Sequence, residues 1–261
     1  MRYIGVDLAW SSLGRGMTGL CVVENGRVIE SVLLKTDAEI VNWLGPRCGT
    51  ACLVAIDAPL IVVNPRGQRE CERLVTACFG RYEAGCHPSN TSMPYFSPRT
   101  RGEWIAAALG LSLDPRLPSR GPYRRGIEVY PHPAQVALFD LTLTLKYKRR
   151  QRRLIGERRA AFNRCLDLME GLRSADPPVD VTTAERWPMI RDGLRTTTVK
   201  AEMDRLEDEL DAFFCAYVAA YYDLHRLERC RIVGSLGEGY IVTPVRPQDA
   251  ACLDAEAASR S

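Results

Sequence analysis

Four acidic residues sit at or near the ends of short apolar runs, where a solvated surface charge does not explain them. They are Asp7 in IGVDLAW, Asp57 in VAIDAPL, Glu128 in GIEVYPHP and Asp211 in DELDAFFCAYVAAY. Carboxylates gathered on a buried scaffold repel each other and lose hydration, so they require a raised pKa, a cationic partner or a bound metal. Convergence of the four would make a divalent cation the natural occupant. Taken singly, each has a plainer role: Asp7 capping a turn, Asp57 closing a local side-chain turn before Ala58-Pro59, Asp211 pairing with an arginine on a helix.

Cations accompany the acids along the chain. Lys146, Lys148, Arg149, Arg150, Arg152, Arg153, Arg158 and Arg159 fall within one short stretch, a density that could neutralise several phosphates of a nucleic-acid backbone. The alternative is an exposed helix face pairing with Glu157. Arg66, Arg69, Arg73, Arg99, Arg101, Arg124 and Arg125 flank the second and third acidic motifs and could line the approach to a site. His132, four residues after Glu128, is placed to hold a phosphate or protonate a leaving group, or else serves structure. The expected substrate contacts are therefore His132, Lys146, Lys148, Arg69 and Arg125. Cys71, Cys78, Cys86 and His87 supply enough ligands for zinc, but not at a standard spacing. Tyr82, Tyr95, Phe96 and Trp104 could stack on bases or fill a local core.

The elements that must position these residues can be read in order. Tyr3–Ala9, Met17–Glu24 and Arg27–Leu34 read as strands, the last two joined by Asn25-Gly26, the dipeptide that a type I′ hairpin turn demands. Asp37–Leu44 fits a short helix ended by Gly45-Pro46, and Cys52–Ile56 a buried strand. Residues 59–126 read as an insertion with long loops around helices at Gln68–Phe79 and Glu103–Leu111. Ile127–Tyr130 is strand-like, Pro133–Phe139 begins a helix, and Lys146–Met169 forms a basic helix inside a second insertion over about 141–198. In the helix predicted over Lys200–Glu228, Leu206, Leu210, Phe213, Phe214, Tyr217, Val218 and Tyr221 make a core-facing stripe, with Asp204, Asp208 and Asp211 on a neighbouring face. Arg231–Gly234 and Tyr240–Val242 would close a sheet edge. Residues 1–245 would thus form one domain, and the Ala-rich, acidic tail 246–261 is expected to be disordered.

With 261 residues, 46% of them hydrophobic, the chain can bury one large core. The net charge of +3 excludes nothing by itself. The ten cysteines form no C-x-x-C pair, no signal-like segment opens the chain, and no apolar run nears the roughly 20 residues that a membrane span needs. The expectation is a soluble cytoplasmic protein whose cysteines are mostly reduced, small hydrophobes, with no disulfide framework.

A hairpin-led sheet, a crossing helix, a fourth strand and a late acid-bearing helix resemble the RNase H-like fold: an α/β mixed sheet with a leading antiparallel hairpin, flanking helices and an inserted subdomain. IGVDLAW, AIDAPL, IEVYPHPA, the LDA of DELDAFF and the closing GYIVTP resemble the family of RNase H-like nucleases carried as domain of unknown function 429, over nearly the whole chain to about Pro244. The resemblance implies an acidic centre of Asp7, Asp57, Glu128 and Asp211, with Asp208 as a fifth member. Such a centre suits phosphodiester hydrolysis in DNA or RNA with two Mg²⁺ or Mn²⁺ ions about 4 Å apart. Asp7 would bridge the ions, Asp57 and Glu128 would hold one, and Asp211 the other. The insertion would act as lid, substrate platform or homodimer contact. Two rivals stand beside the nuclease. One is a non-catalytic module binding nucleic acid or protein on the same fold. The other is an ATP-dependent phosphotransferase of the actin-like class, against which the residues following Asp7 and Asp57, Leu8-Ala9-Trp10 and Ala58-Pro59-Leu60, form no glycine-rich phosphate cradle.

Overall fold

The computed structural model describes residues 1–11, 16–119, 121–148 and 153–259. Strands β1 (Arg2–Asp7), β2 (Thr18–Glu24) and β3 (Arg27–Leu34) form an antiparallel meander. Strands β4 (Cys52–Asp57) and β5 (Arg124–Glu128) extend it in parallel, giving the order β3-β2-β1-β4-β5. Asn25 and Gly26 both take positive φ, 52° and 71°, as their hairpin turn requires.

Alternate residues of the central strands enter two cores, because both faces of the sheet are covered. On one face Ile4, Val6, Val54 and Ile56 pack against α1 (Asp37–Cys48) and α3 (Arg101–Ala108). On the other, Leu53, Ala55 and Ile127 meet the long helix α7 (Lys200–Arg229). Helices α2 (Glu70–Phe79), α4 (Pro131–Leu138), α5 (Ile155–Gly171) and α6 (Trp187–Thr196) contribute to that second core, so both insertions share it rather than building cores of their own. Strands β6 (Cys230–Ser235) and β7 (Gly239–Pro244) form a separate two-stranded ribbon instead of closing the main sheet. It meets the sheet at its β5 edge, through a bridge from Val129 to Val242 and a hydrogen bond from the Tyr240 hydroxyl to the Gly126 carbonyl at 3.2 Å.

Other expectations are corrected as well. Helix α1 runs past Gly45-Pro46 to Cys48. Pro46 lies on its exposed side, where water can serve the carbonyl that proline deprives of a donor. The basic helix starts only at Ile155, where Glu157 accepts the Leu154 N–H at 3.0 Å; Lys146 and Lys148 precede it. The tail expected to be disordered is instead helix α8 (Pro247–Ala258). Its Asp249, fully buried, accepts from Arg246 Nε at 2.7 Å and from the Tyr82 hydroxyl at 3.1 Å, and Leu253 is buried. Alanine and acid are helix-forming composition once a core is available to dock on. Cys252 of α8 is disulfide-bonded to Cys78 of α2, while the other eight cysteines are free, so the cysteines are mostly reduced as expected; with Cys78 so engaged, the Cys71, Cys78, Cys86, His87 quartet cannot serve together as zinc ligands. Among the described residues no helix is long and apolar enough to cross a membrane.

Candidate functional site

Asp7 and Asp57 are Cα partners in the parallel β1–β4 pairing, at the ends of both strands. Side chains alternate across a strand, so Asp7 lies on the face of Gly5, and Asp57 on that of Leu53 and Ala55, all toward α7. Glycine sets how near that helix can come. A Cβ built on Gly5 would lie 1.9 Å from the Ala212 carbonyl oxygen and 2.3 Å from the Ala216 nitrogen, and one on Gly19 would lie 1.9 Å from the carbonyl oxygen of Asp208. With hydrogen at both positions, α7 rests directly on the sheet backbone. Its turns present Asp204, Glu207, Asp208 and Asp211, neighbours at i+3 and i+4, to the ends of β1 and β4.

Asp211 is fully buried; Asp7, Asp57 and Asp208 keep partial contact with solvent. The Tyr147 hydroxyl donates to Asp211 Oδ1 at 2.7 Å, and the Lys148 ammonium stands 2.5 Å from its Oδ2 and 3.8 Å from Glu207 Oε1. Arg158 pairs with Glu207 at 2.9 Å and Asp204 at 2.8 Å. Among the described residues, no ion pair or hydrogen bond engages the carboxylates of Asp7, Asp57 or Asp208.

Burial, then the Asp211 charge, pushes Asp7 up to about 7 against the pull of Lys148. Burial and then Asp7 raise Asp57 well above the usual carboxylate range. Asp208 is pushed up to about 9 by burial and Asp7, and Glu207 to about 8 by burial, with Lys148 opposing. Lys148 holds its proton more tightly than an ordinary lysine, Asp211 and Asp7 outweighing its burial. This pocket of dehydrated, mutually repelling oxygens therefore favours any added cation. As the side chains stand, no three metal-ligating groups among the described residues are assembled into an ion-binding cluster.

Glu128 borders this cluster at Asp57: its charge adds to the proton affinity of that acid, and the two line one small pocket. There Arg69 donates to both its oxygens at 2.9 and 2.5 Å, and the Leu60 N–H to one of them at 2.8 Å. Arg69, expected to meet substrate, is only 2% exposed; it also pairs with Glu72 at 2.9 Å and donates to the Ile61 carbonyl. Together, Arg69 and Glu128 lock the chain leaving β4. Arg125 is likewise removed from the site. It lies at the start of β5, at the opposite end of the sheet, and binds Asp223 at 2.6 Å.

Lys146 pairs with Glu83. The His132 ring lies edge-on to Tyr130, with Nδ1 3.0 Å from the Thr144 hydroxyl, and 6.5 Å from the ring of Tyr147. Of the basic stretch, Lys148 and Arg158 turn inward, and Arg159 donates to the Thr197 carbonyl. Arg149, Arg150 and Arg152 lie outside the described residues.

Beside the cluster, Trp10, His87, Glu128 and Tyr130 join Asp57 around a pocket of about 60 Å³. Trp10 meets Phe96 edge-on at 5.2 Å, and Tyr95 extends the aromatic rim. A roomier cavity of about 720 Å³ lies between α2, β6 and α8 and contains none of the clustered acids. Reasoning from the sequence missed Glu207, Tyr147, the inward turn of Lys148, and Gly5 and Gly19. The available signals were glycine inside two apolar strands and an acid one helical turn before Asp211. A family described as "Protein of unknown function (DUF429)" has a model that matches residues 5–234. No curated protein and no solved structure matches the chain.

Proposed function

The chain belongs to the family described as "Protein of unknown function (DUF429)", and we propose that it is a divalent-metal-dependent nuclease on an RNase H-like scaffold. Support for the scaffold comes from the strand order β3-β2-β1-β4-β5 together with acids at the ends of β1 and β4 and on the helix crossing them. One observation carries the activity: Asp57 and Asp208 both stand close enough to Asp7 for their charges to repel, all three partly exposed, without protein partners among the described residues, and with raised proton affinity.

Carboxylate oxygen and water are the ligands that the hard ions Mg²⁺ and Mn²⁺ prefer, and the reading requires these side chains to close around an ion that they do not surround as they stand. Asp7, Asp57 and Asp208 would hold the ion, and Asp211 would face it from the floor of the cluster. When bound, such an ion lowers the pKa of its water and stabilises the charge that develops on a scissile phosphodiester. The chain's own residues do the rest. Gly5 and Gly19 set the spacing of the acids, Lys148 partly offsets their charge, and the Arg69–Glu128 pair fixes the loop after Asp57. Trp10 and Tyr95, exposed and backed by the buried Phe96, offer a stacking surface to an unpaired base.

The test is incubation of labelled single-stranded, double-stranded and branched DNA and RNA with Mn²⁺, comparing the wild type with Asp7→Asn. Cleavage by the wild type alone supports the proposal; equal cleavage by both overturns it. A second reading, a non-catalytic binding module, is favoured by the internal compensation that Lys148 and Arg158 already give Asp211 and Glu207. Binding without cleavage across the same panel would select it.

A further inference from the structure

Ser89 stands apart from the other polar residues around the small pocket beside Asp57. It is 1% exposed and lines that pocket, yet its hydroxyl has no hydrogen-bond partner among the described residues. Its backbone is held on both sides: the N–H donates to Glu72 Oε2 at 3.0 Å, and the carbonyl accepts from the Asn64 side-chain amide at 3.0 Å. The neighbouring polar groups are satisfied. Arg69 serves both Glu72 and Glu128, and the Tyr130 hydroxyl donates to the Gly85 carbonyl at 3.1 Å. A buried hydroxyl left without a partner costs stability, so a ligand that supplies the missing hydrogen bond gains by it.

The lining restricts what that ligand is. An anion would meet Asp57, Glu72 and Glu128, against one guanidinium already shared by the last two. A hydrated cation would give up its water against Ala58, Pro59, Val129 and Ile241. What remains is a neutral group with an apolar face and a hydrogen-bonding edge. Trp10, exposed and part of the same lining, supplies a ring for that face. The space, about 60 Å³, has no room for a base pair.

We propose that the pocket takes the edge of one unpaired nucleobase, its ring against Trp10 and its edge hydrogen-bonded to the Ser89 hydroxyl, so that the substrate is single-stranded beside the acids. The proposal rests on the nuclease reading of the same site and adds the class of substrate. A base within a duplex has its pairing edge occupied and its faces stacked, and reaches neither group. A hydroxyl both donates and accepts, so it can serve the edge of any base.

The experiment measures fluorescence anisotropy of short labelled DNA and RNA strands and of the matching blunt duplex, with and without Mn²⁺, on phosphorothioate linkages that resist hydrolysis. It compares the wild type, Ser89→Ala and Trp10→Ala as full chains, with free nucleosides as a further arm and a thermal melt of each protein. The wild type should prefer single strands to duplex. Trp10→Ala should weaken single-strand binding by about 5- to 150-fold, and Ser89→Ala by about 2- to 10-fold. Ser89→Ala should melt no lower than the wild type, because it deletes a hydroxyl that the fold leaves unpaired. Equal affinity for duplex and single strand, single-strand binding untouched by Ser89→Ala, or a lower melt of Ser89→Ala overturns the base pocket and leaves the nuclease reading standing. No strand bound by the wild type in either condition, whether or not nucleosides bind, overturns the nuclease reading and this proposal together. Should Trp10→Ala fail to fold, Ser89→Ala decides.

Discussion

Gly19→Ala is the sharpest probe of how the site is spaced. The added Cβ would sit 1.9 Å from the carbonyl oxygen of Asp208, whereas ordinary contact begins at 3.4 Å, so β2 and α7 must part by about 1.5 Å. The obstacle is backbone within a helix, which cannot rotate aside as a side chain would. Overpacking of this kind costs about 1–3 kcal/mol, which for a chain of this size lowers the melting temperature by roughly 3–9 °C. The displaced carbonyl belongs to Asp208 itself, so the same shift carries a candidate ligand away from Asp7. A misplacement near 1 Å can lower a rate that depends on the geometry by about 100-fold. Melting in EDTA and Mn²⁺ titration measure the two effects separately. Gly45→Ala is the control, since its Cβ would meet nothing within 4 Å and its position inside α1 favours alanine. A Gly19→Ala protein that melts with the wild type and binds Mn²⁺ equally well refutes the argument that glycine sets the approach of α7.

The raised proton affinities set the sign of the pH response. Asp7, Glu207 and Asp208 bind protons more tightly folded than unfolded, so their contribution to stability is complete below the unfolded carboxylate value near 4. It is lost as pH rises toward about 7, 8 and 9 respectively. In EDTA the melting temperature should fall between about pH 5.5 and 9, and Mn²⁺ should restore it at the alkaline end; a flat profile refutes the assignment. Asp7→Asn removes one of the repelling charges and should raise the metal-free melting temperature at pH 8 while weakening Mn²⁺ binding, both read from the same thermal-shift series. Arg69→Met leaves Glu128 and Glu72 buried without their cation and should cost about 3–5 kcal/mol by chemical denaturation. Adding Glu128→Gln should recover part of that loss, and a single variant as stable as the wild type would remove Arg69 from the loop-locking role.

The sheet was legible because its signals are local: alternation or continuity of apolar residues, and an Asn-Gly turn that only a few backbone geometries satisfy. The ends of β1 and β4 were legible for the same reason, and with them Asp7 and Asp57. Glu128 was legible as a neighbour of Asp57 but not as the partner of Arg69, which no local signal names. Arg69 and Arg125 read as surface cations since nothing in their neighbourhood names the distant carboxylates that bury them. Lys148 was legible as charge but not as direction, which depends on Arg153 and Arg158 reaching back to carbonyls. Helix α8 was misread because its composition forms a helix only when Asp249, Leu253 and Cys252 have somewhere to dock.

Helix α7 runs without a break from Lys200 to the kink at Arg226, where φ is 45°, about 39 Å, and the middle of this one rod is both the wall of the larger core and the bearer of Asp208 and Asp211. Sliding its register by one residue would swing those acids about 100° around its axis. Inherited change along the rod is therefore coupled: the turns that carry the acids can drift only in concert with β1 and β2, on whose glycines they rest.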